Sequence, residues 1–184
     1  QDRAFALRTL APFAWGAAHM AIDAEAIANR LVTLSEFDGI LPDGTTVRAP
    51  SVDDPPASRS FAEHFGPTAK TLSVYLALPR LRPGAAGVRM ETEETHTPAR
   101  FQRAFATLPD TVTGEHEREV AYLKKRLFIL FSGEDLEGYD TLKIAEVERN
   151  AEGVPQLRPS YVPPAVAISA SSWLANHIRA ILET

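Results

Sequence analysis

The chain contains no cysteine. That excludes a disulfide framework, a thiolate nucleophile and any zinc or iron–sulfur site built on Cys ligands. Nothing in it demands an oxidising compartment, and a reducing cytoplasm is the expected setting. Its most hydrophobic run, Leu127-Phe128-Ile129-Leu130-Phe131, is far short of a membrane-spanning helix. Basic charge is also scarce: Lys and Arg number 19 against 24 Asp and Glu, a formal net charge of −5. Non-specific nucleic-acid binding needs a concentrated cationic surface and is not expected here. The opening Gln1-Asp2-Arg3 lacks an initiator Met and a secretory leader, so a piece of a longer, non-secreted protein is expected.

Catalytic signatures are missing as well. The nearest approach to a phosphate loop, Arg82-Pro83-Gly84-Ala85-Ala86-Gly87, has no Lys-Ser/Thr. Ser169-Ala170-Ser171-Ser172 lacks the glycines of a nucleophile elbow, and a helix cap explains its serines. The five histidines are scattered singly. Two acidic clusters, Glu91/Glu93/Glu94/His96 and Glu115/His116/Glu117, put too few ligands on one strand face for zinc or manganese and read as solvated charge. No catalytic, cofactor or metal residue is therefore assigned. A carboxylate pair for glycoside hydrolysis is not selected by anything in the sequence. What stands out instead is that only 4 of the 19 basic residues are Lys, the other 15 being Arg, the cation favoured at protein interfaces. Arginine-rich codon usage would leave the same imprint.

The 184 residues suffice for one ordinary domain with an appendage. Fourteen prolines and ten glycines break the chain too often for a helical bundle. Residues 1–12 are expected to form an arm with a helical turn or two. A β-like stretch follows from Trp15 to Ile22, and Asp23 is placed to cap a short helix over Ala24–Ala28. Leu31 to Leu41 reads as one strand that ends in the turn Pro42-Asp43-Gly44-Thr45. Residues 51–70 read as a long surface loop. Leu72 to Leu78 is the cleanest strand, with Leu72, Val74, Leu76 and Leu78 on one face. Val88–His96 reads as an exposed edge, 100–107 is ambiguous, and a loop surrounds Gly114. Leu123–Phe131 is expected to be a central strand and Leu142–Val147 another. Pro163-Pro164 keeps the next segment extended. Ser169 or Ser171 then starts a helix with Trp173, Leu174, His177, Ile178, Ile181 and Leu182 on one stripe, His177 packed within it. Short strands separated by turns, with helices at the ends, define an antiparallel β-sandwich over 13–168, followed by the helix from 169 to 184.

Several segments in order resemble one family: Gln1-Asp2-Arg3, Trp15-Gly16, Ile22-Asp23, Ile40-Leu41-Pro42-Asp43-Gly44-Thr45, Leu76-Ala77-Leu78-Pro79, Arg126 to Phe131, and Tyr161-Val162-Pro163-Pro164 running into Ile168-Ser169-Ala170-Ser171. The chain is similar to the N-terminal part of the TssK (ImpJ/VasE) family of bacterial type VI secretion systems. The family's tryptophan- and glutamine-rich opening is absent, and Leu157-Arg158-Pro159 stands where the family often carries Leu-Asp. The resemblance implies a shoulder domain like that of phage receptor-binding proteins. It further implies a trimeric cytoplasmic adaptor, without cofactor, whose shoulder grips the TssF/TssG wedge of the baseplate. A helical middle domain and a C-terminal head, outside this chain, would reach the TssJ–TssL–TssM membrane complex. The expected contact elements are the N-terminal arm and the start of the sandwich, Phe5, Phe13, Trp15 and Gly16, with loops 51–70, 79–87 and 108–118 as presenters. Pro42, Asp43, Gly44, Thr45, Pro163 and Pro164 are expected to fix turns. The competing readings are a phage-tail-type receptor- or carbohydrate-binding module and, with least support, a hydrolase.

Overall fold

The computed structural model describes residues 14–81, 84, 87–89, 99–109 and 117–183. The arm over 1–12, Phe5, Phe13, most of the expected edge strand over 88–96 and the acidic cluster within it lie outside these residues.

Two antiparallel sheets share one core. The first has the order β1-β3-β4, formed by Gly16–Ile22, Leu34–Ile40 and Thr46–Ala49. The second has the order β10-β6-β11-β12, formed by Phe128–Phe131, Thr71–Pro79, Tyr139–Arg149 and Pro155–Leu157. Between them pack Ala17, Leu34, Phe37 and Val47 from one side and Leu72, Val74, Leu76, Ile129, Phe131, Leu142, Ile144 and Val147 from the other. The alternation expected for Leu72–Leu78 is observed, because β6 is flanked by strands on both sides and turns one face into the core.

Local chemistry sets the connections. Asp23 caps α1 (Ala24–Ala28), its carboxylate accepting from the Glu25 and Ala26 amides at 2.9 and 3.1 Å. The single strand expected over Leu31–Leu41 is two: β2 (Leu31–Val32) pairs with β5 (Arg59–Ser60), and after Thr33 the chain changes sheet and β3 pairs with β1. The Pro42–Thr45 turn closes β3 onto β4 with Gly44 at φ 86°, where only glycine is unstrained.

Three expectations need correction. Residues 51–70 are not simply a surface loop: Phe61 and Phe65 are buried, stack edge-on with ring centroids 6.1 Å apart, and Phe61 meets Phe131 at 6.3 Å. Arg59 lies over the Phe131 ring, donates to the Ile129 carbonyl at 2.9 Å and is bidentate on Glu134. Leu123–Phe131 is not one central strand. It breaks after Lys125, and β10 is the edge of its sheet because Arg126 and Leu127 carry the chain from a third sheet into the second. That third sheet has the order β7-β8-β9 (Val88–Arg89, Phe101–Leu108, Arg118–Lys125), with β7 parallel to β8. Last, the expected packing of His177 within the stripe of α2 (Ser172–Leu182) is not observed: Trp173, Leu174 and Ile178 are half-buried, while Ile181 and Leu182 at its end are 74% and 81% exposed. His177 is exposed too; it stacks on Trp173 and donates from Nδ1 to the Trp173 carbonyl.

Candidate interaction surface

The turn motif does more than reverse the chain. Asp43 accepts from the Thr45 amide at 2.9 Å and from its hydroxyl at 2.7 Å, and its second oxygen also meets the guanidinium of Arg100. Arg100 is 6% exposed and reaches four acceptors from three segments: Asp43, the Thr45 hydroxyl at 2.6 Å, the Pro79 carbonyl at 2.9 Å and Asp140 at 3.1 Å. One side chain thus ties the first sheet's turn to the end of β6 and the start of β11. Nothing near Arg100 in the sequence marks it out from the other arginines.

Burial alone would raise the Asp43 pKa, but the Thr45 hydrogen bonds together with the Arg100 hydrogen bond and charge outweigh it and hold the carboxyl below its ordinary value. Glu134 is held down in the same way, its burial outweighed by Arg59, the Phe131 amide and His64. Hydrogen bonds from Lys143 and Arg158 lower Glu146, against burial. Such groups stabilise the fold above their unfolded-state values and lose that contribution as pH falls through the folded-state ones. Urea midpoints are therefore expected to be flat from pH 7 to about 5 and to drop steeply below about 4. A midpoint unchanged between pH 5 and 3 would contradict the network. Burial moves Tyr161 the other way, to about 12.

The two other motif segments meet each other. Gly16 is buried at φ 138°, and a Cβ there would stand 2.6 Å from the carbonyl carbon of Pro164. The Ala17 amide donates to the Pro164 carbonyl at 2.9 Å and the Val166 amide returns to Ala17 at 2.9 Å. Trp15 is half-buried against the core edge. Pro163 is buried, and with Tyr161 and Trp173 it borders a groove of about 370 Å³ that Met20, Ile22 and Leu157 also line. Arg158 crosses near this groove to Glu146 at 2.8 Å.

Sequence reasoning missed an exposed apolar feature among the described residues. β8 and β9 form a two-stranded arm outside the two sandwich sheets, and among the described residues the strand paired with it is the two-residue β7. Register puts Arg103, Phe105, Ala121 and Leu123 on one face and Ala104, Ala106, Val120, Tyr122 and Leu108 on the other. Phe105, Leu108, Val120, Tyr122 and Leu123 are each 41–52% exposed. The root of the arm is fixed by Arg100 on entry, and on exit by Lys125 to buried Asp53 at 2.9 Å and Lys124 to Asp54 at 2.9 Å. A two-stranded ribbon alone is marginal in water, and apolar side chains on both its faces suit an interface.

Among the described residues, no group of three or more His, Asp or Glu is placed to hold a metal ion. No described helix is long and apolar enough to cross a membrane.

The architecture defines a β-sandwich module with a projecting, two-faced apolar arm. Residues 2–184 match the family described as Bacterial Type VI secretion, VC_A0110, EvfL, ImpJ, VasE, and the chain belongs to that family. It is 27% identical over 177 residues to the type VI secretion system baseplate component TssK1 of Pseudomonas aeruginosa, covering 95% of this chain and 39% of that protein. Its fold matches a chain of the TssK-TssF-TssG baseplate subcomplex with a TM-score of 0.86 at 20% identity, covering 99% of this chain and 60% of the other. A crystal structure of TssK matches with a TM-score of 0.84 at 20% identity, over 99% of this chain and 42% of that one. The chain thus spans less than two-thirds of the length of each of these relatives.

Proposed function

We infer that this chain is the sandwich part of a structural adaptor of the type VI secretion baseplate, docking on the TssF/TssG wedge. Family membership and the likeness in fold to a chain of the TssK-TssF-TssG subcomplex support the reading. The observation that carries it is the β8–β9 arm, with apolar side chains on both faces and a root braced by ion pairs. An adaptor needs a rigid platform presenting a patch of roughly 800 Å² per partner, and a braced ribbon on a sandwich supplies one. Phe5, Phe13 and Trp15 are a second contact element in this reading, and Gly16 seats Trp15 by its close approach to Pro164. The regions of the family beyond this chain would carry the link to the membrane complex and most of the trimer contact, on the cytoplasmic side.

The test is capture of TssF/TssG and, separately, of TssL and TssM by the immobilised chain. Wild type is expected to retain the wedge proteins and not the membrane components. The pair Phe105→Ser and Leu123→Ser is expected to weaken wedge capture at least tenfold without lowering thermal stability. Capture of TssL or TssM, or wedge capture indifferent to the arm, would overturn the assignment.

A further inference from the structure

The docking reading leaves open how the arm is engaged, and its backbone answers this. The Arg126 amide donates to the Arg100 carbonyl at 3.0 Å, one step beyond the unbroken register that runs from Phe101 opposite Lys125 to Leu108 opposite Arg118. Antiparallel ladders alternate, so the hydrogen-bonded rows are 102/124, 104/122, 106/120 and 108/118. The Phe101 amide confirms the parity, since it turns away from β9 and donates to the Gly87 carbonyl at 3.0 Å. On β9 the backbone N–H and C=O groups of Glu119, Ala121 and Leu123 therefore point away from β8, and among the described residues no strand pairs with them.

Other sheet edges of this protein are blunted. Arg48 in β4 gives its amide to the Asp53 carboxylate at 3.0 Å, while its carbonyl takes the Val52 and Asp53 amides. On β10 the Ile129 carbonyl is taken by Arg59, and β12 is three residues long and begins with Pro155. β9 has eight residues, no proline, no bulge against β8 and no charge between Val120 and Leu123. Such an edge is a template for another strand.

We propose that the TssF/TssG wedge contributes an extended segment that adds to β9 as a fourth strand of the β7-β8-β9 sheet, which rests on the docking reading above. The charges specify its chemistry. Glu119, near the tip of β9, has no ion-pair partner among the described residues, whereas Arg103 lies one strand further in, over the Phe105 ring at 4.7 Å. The incoming strand carries a basic residue opposite Glu119 and apolar residues opposite Ala121 and Leu123. A second copy of β9 is the poorer occupant, because its cations Lys124 and Lys125 are already paired with Asp54 and Asp53.

The experiment is residue-resolved hydrogen exchange on the chain, free and with purified TssF/TssG complex. In the free chain the amides of Glu119, Ala121 and Leu123 should exchange at least tenfold faster than those of Val120 and Tyr122. Adding the complex should slow the odd-numbered set at least tenfold. In parallel, Ala121→Pro removes one outward N–H without touching a bond to β8 and should cut capture at least tenfold, while Ala121→Thr, which keeps that N–H, stays within threefold. If Ala121→Pro loosens the arm itself, the exchange pattern of the wild-type complex decides alone. Capture with the odd-numbered amides still fast overturns strand addition and leaves docking intact, whereas absence of capture overturns the docking reading itself. Concentration-dependent protection without the wedge proteins would make a second copy the occupant and overturn the choice made here.

Discussion

Arg100→Met is expected to destabilise the protein by about 3 kcal/mol, the lower end for removing one partner of a buried ion pair. For a domain of this size that is a fall in Tm of about 6–12 °C. The side chain of Arg100 is 7% exposed, and its carboxylate partners Asp43 and Asp140 are 23% and 13% exposed, so little water is available to replace the guanidinium. Methionine fills the volume but leaves the Pro79 carbonyl and one oxygen of Asp140 without the Arg100 donor and strips Asp43 of its charged partner. The cost stays at the lower end because Asp43 keeps Thr45 and Asp140 keeps Arg80. Arg80→Met at the other side of Asp140 is the contrast: Arg80 is 57% exposed and should cost no more than about 1 kcal/mol. Arg100→Met carries a second signature. Without the guanidinium the Asp43 carboxyl rises toward its ordinary value, so the variant should lose less additional stability than wild type between pH 5 and pH 3. Equal urea midpoints for wild type and Arg100→Met at pH 7 would remove the clamp from the account of this fold.

The clamp also marks where sequence reasoning stopped. Pro42-Asp43-Gly44-Thr45 is readable as a turn because its chemistry is local: an Asp that bonds two residues ahead and a Gly at positive φ. The third bond of Asp43 goes to a residue 57 positions away, and nothing beside Arg100 announces it. The Asp23 cap and the period of β6 were readable for the same local reason. Phe61 and Phe65 were not, since two aromatics in a stretch of Pro, Ser and Ala carry no period, and the groups that meet them, Phe131 against Phe61 and Arg149 over Phe65, come from far along the chain. On the arm the pattern itself misleads. Val120, Tyr122 and Leu123 occupy both parities of β9, which blurs the alternation expected of a strand with one wet face. The helical period of α2 and its Ser171 cap were readable for local reasons, but the exposure of Ile181 and Leu182 at its end was not. Family resemblance filled the gap that physics left: periodicity and turns delivered the sandwich, but only the ordered segments from Trp15-Gly16 to Ser171 pointed to type VI secretion.

Gly16→Ala should be about as damaging as the loss of Arg100, for a reason unrelated to charge. At φ 138° the backbone of Gly16 lies where side chains are rarely accommodated, which costs of order 1–3 kcal/mol. The new methyl would in addition stand 2.6 Å from the carbonyl carbon and oxygen of Pro164 and 2.7 Å from the Ala165 nitrogen. All three are backbone atoms, so no side chain can swing aside. Either the 163–166 segment retreats, breaking the Ala17–Pro164 and Val166–Ala17 bonds, or β1 shifts against β3, where Gly39 already lies against the Gly16 carbonyl. Overpacking of this kind adds about 1–3 kcal/mol, for a total near 3 kcal/mol or above. Gly66→Ala serves as the control, since that site has ordinary φ and open space and should change stability by less than about 1 kcal/mol. The damage should also be local first: exchange of the Ala17 and Val166 amides should quicken before that of β6. If Gly16→Ala matched wild type in Tm and in these amides, the junction between the start of the sandwich and the Pro163-Pro164 segment would not be a structural constraint, and its place in the family pattern would have to come from contact with a partner.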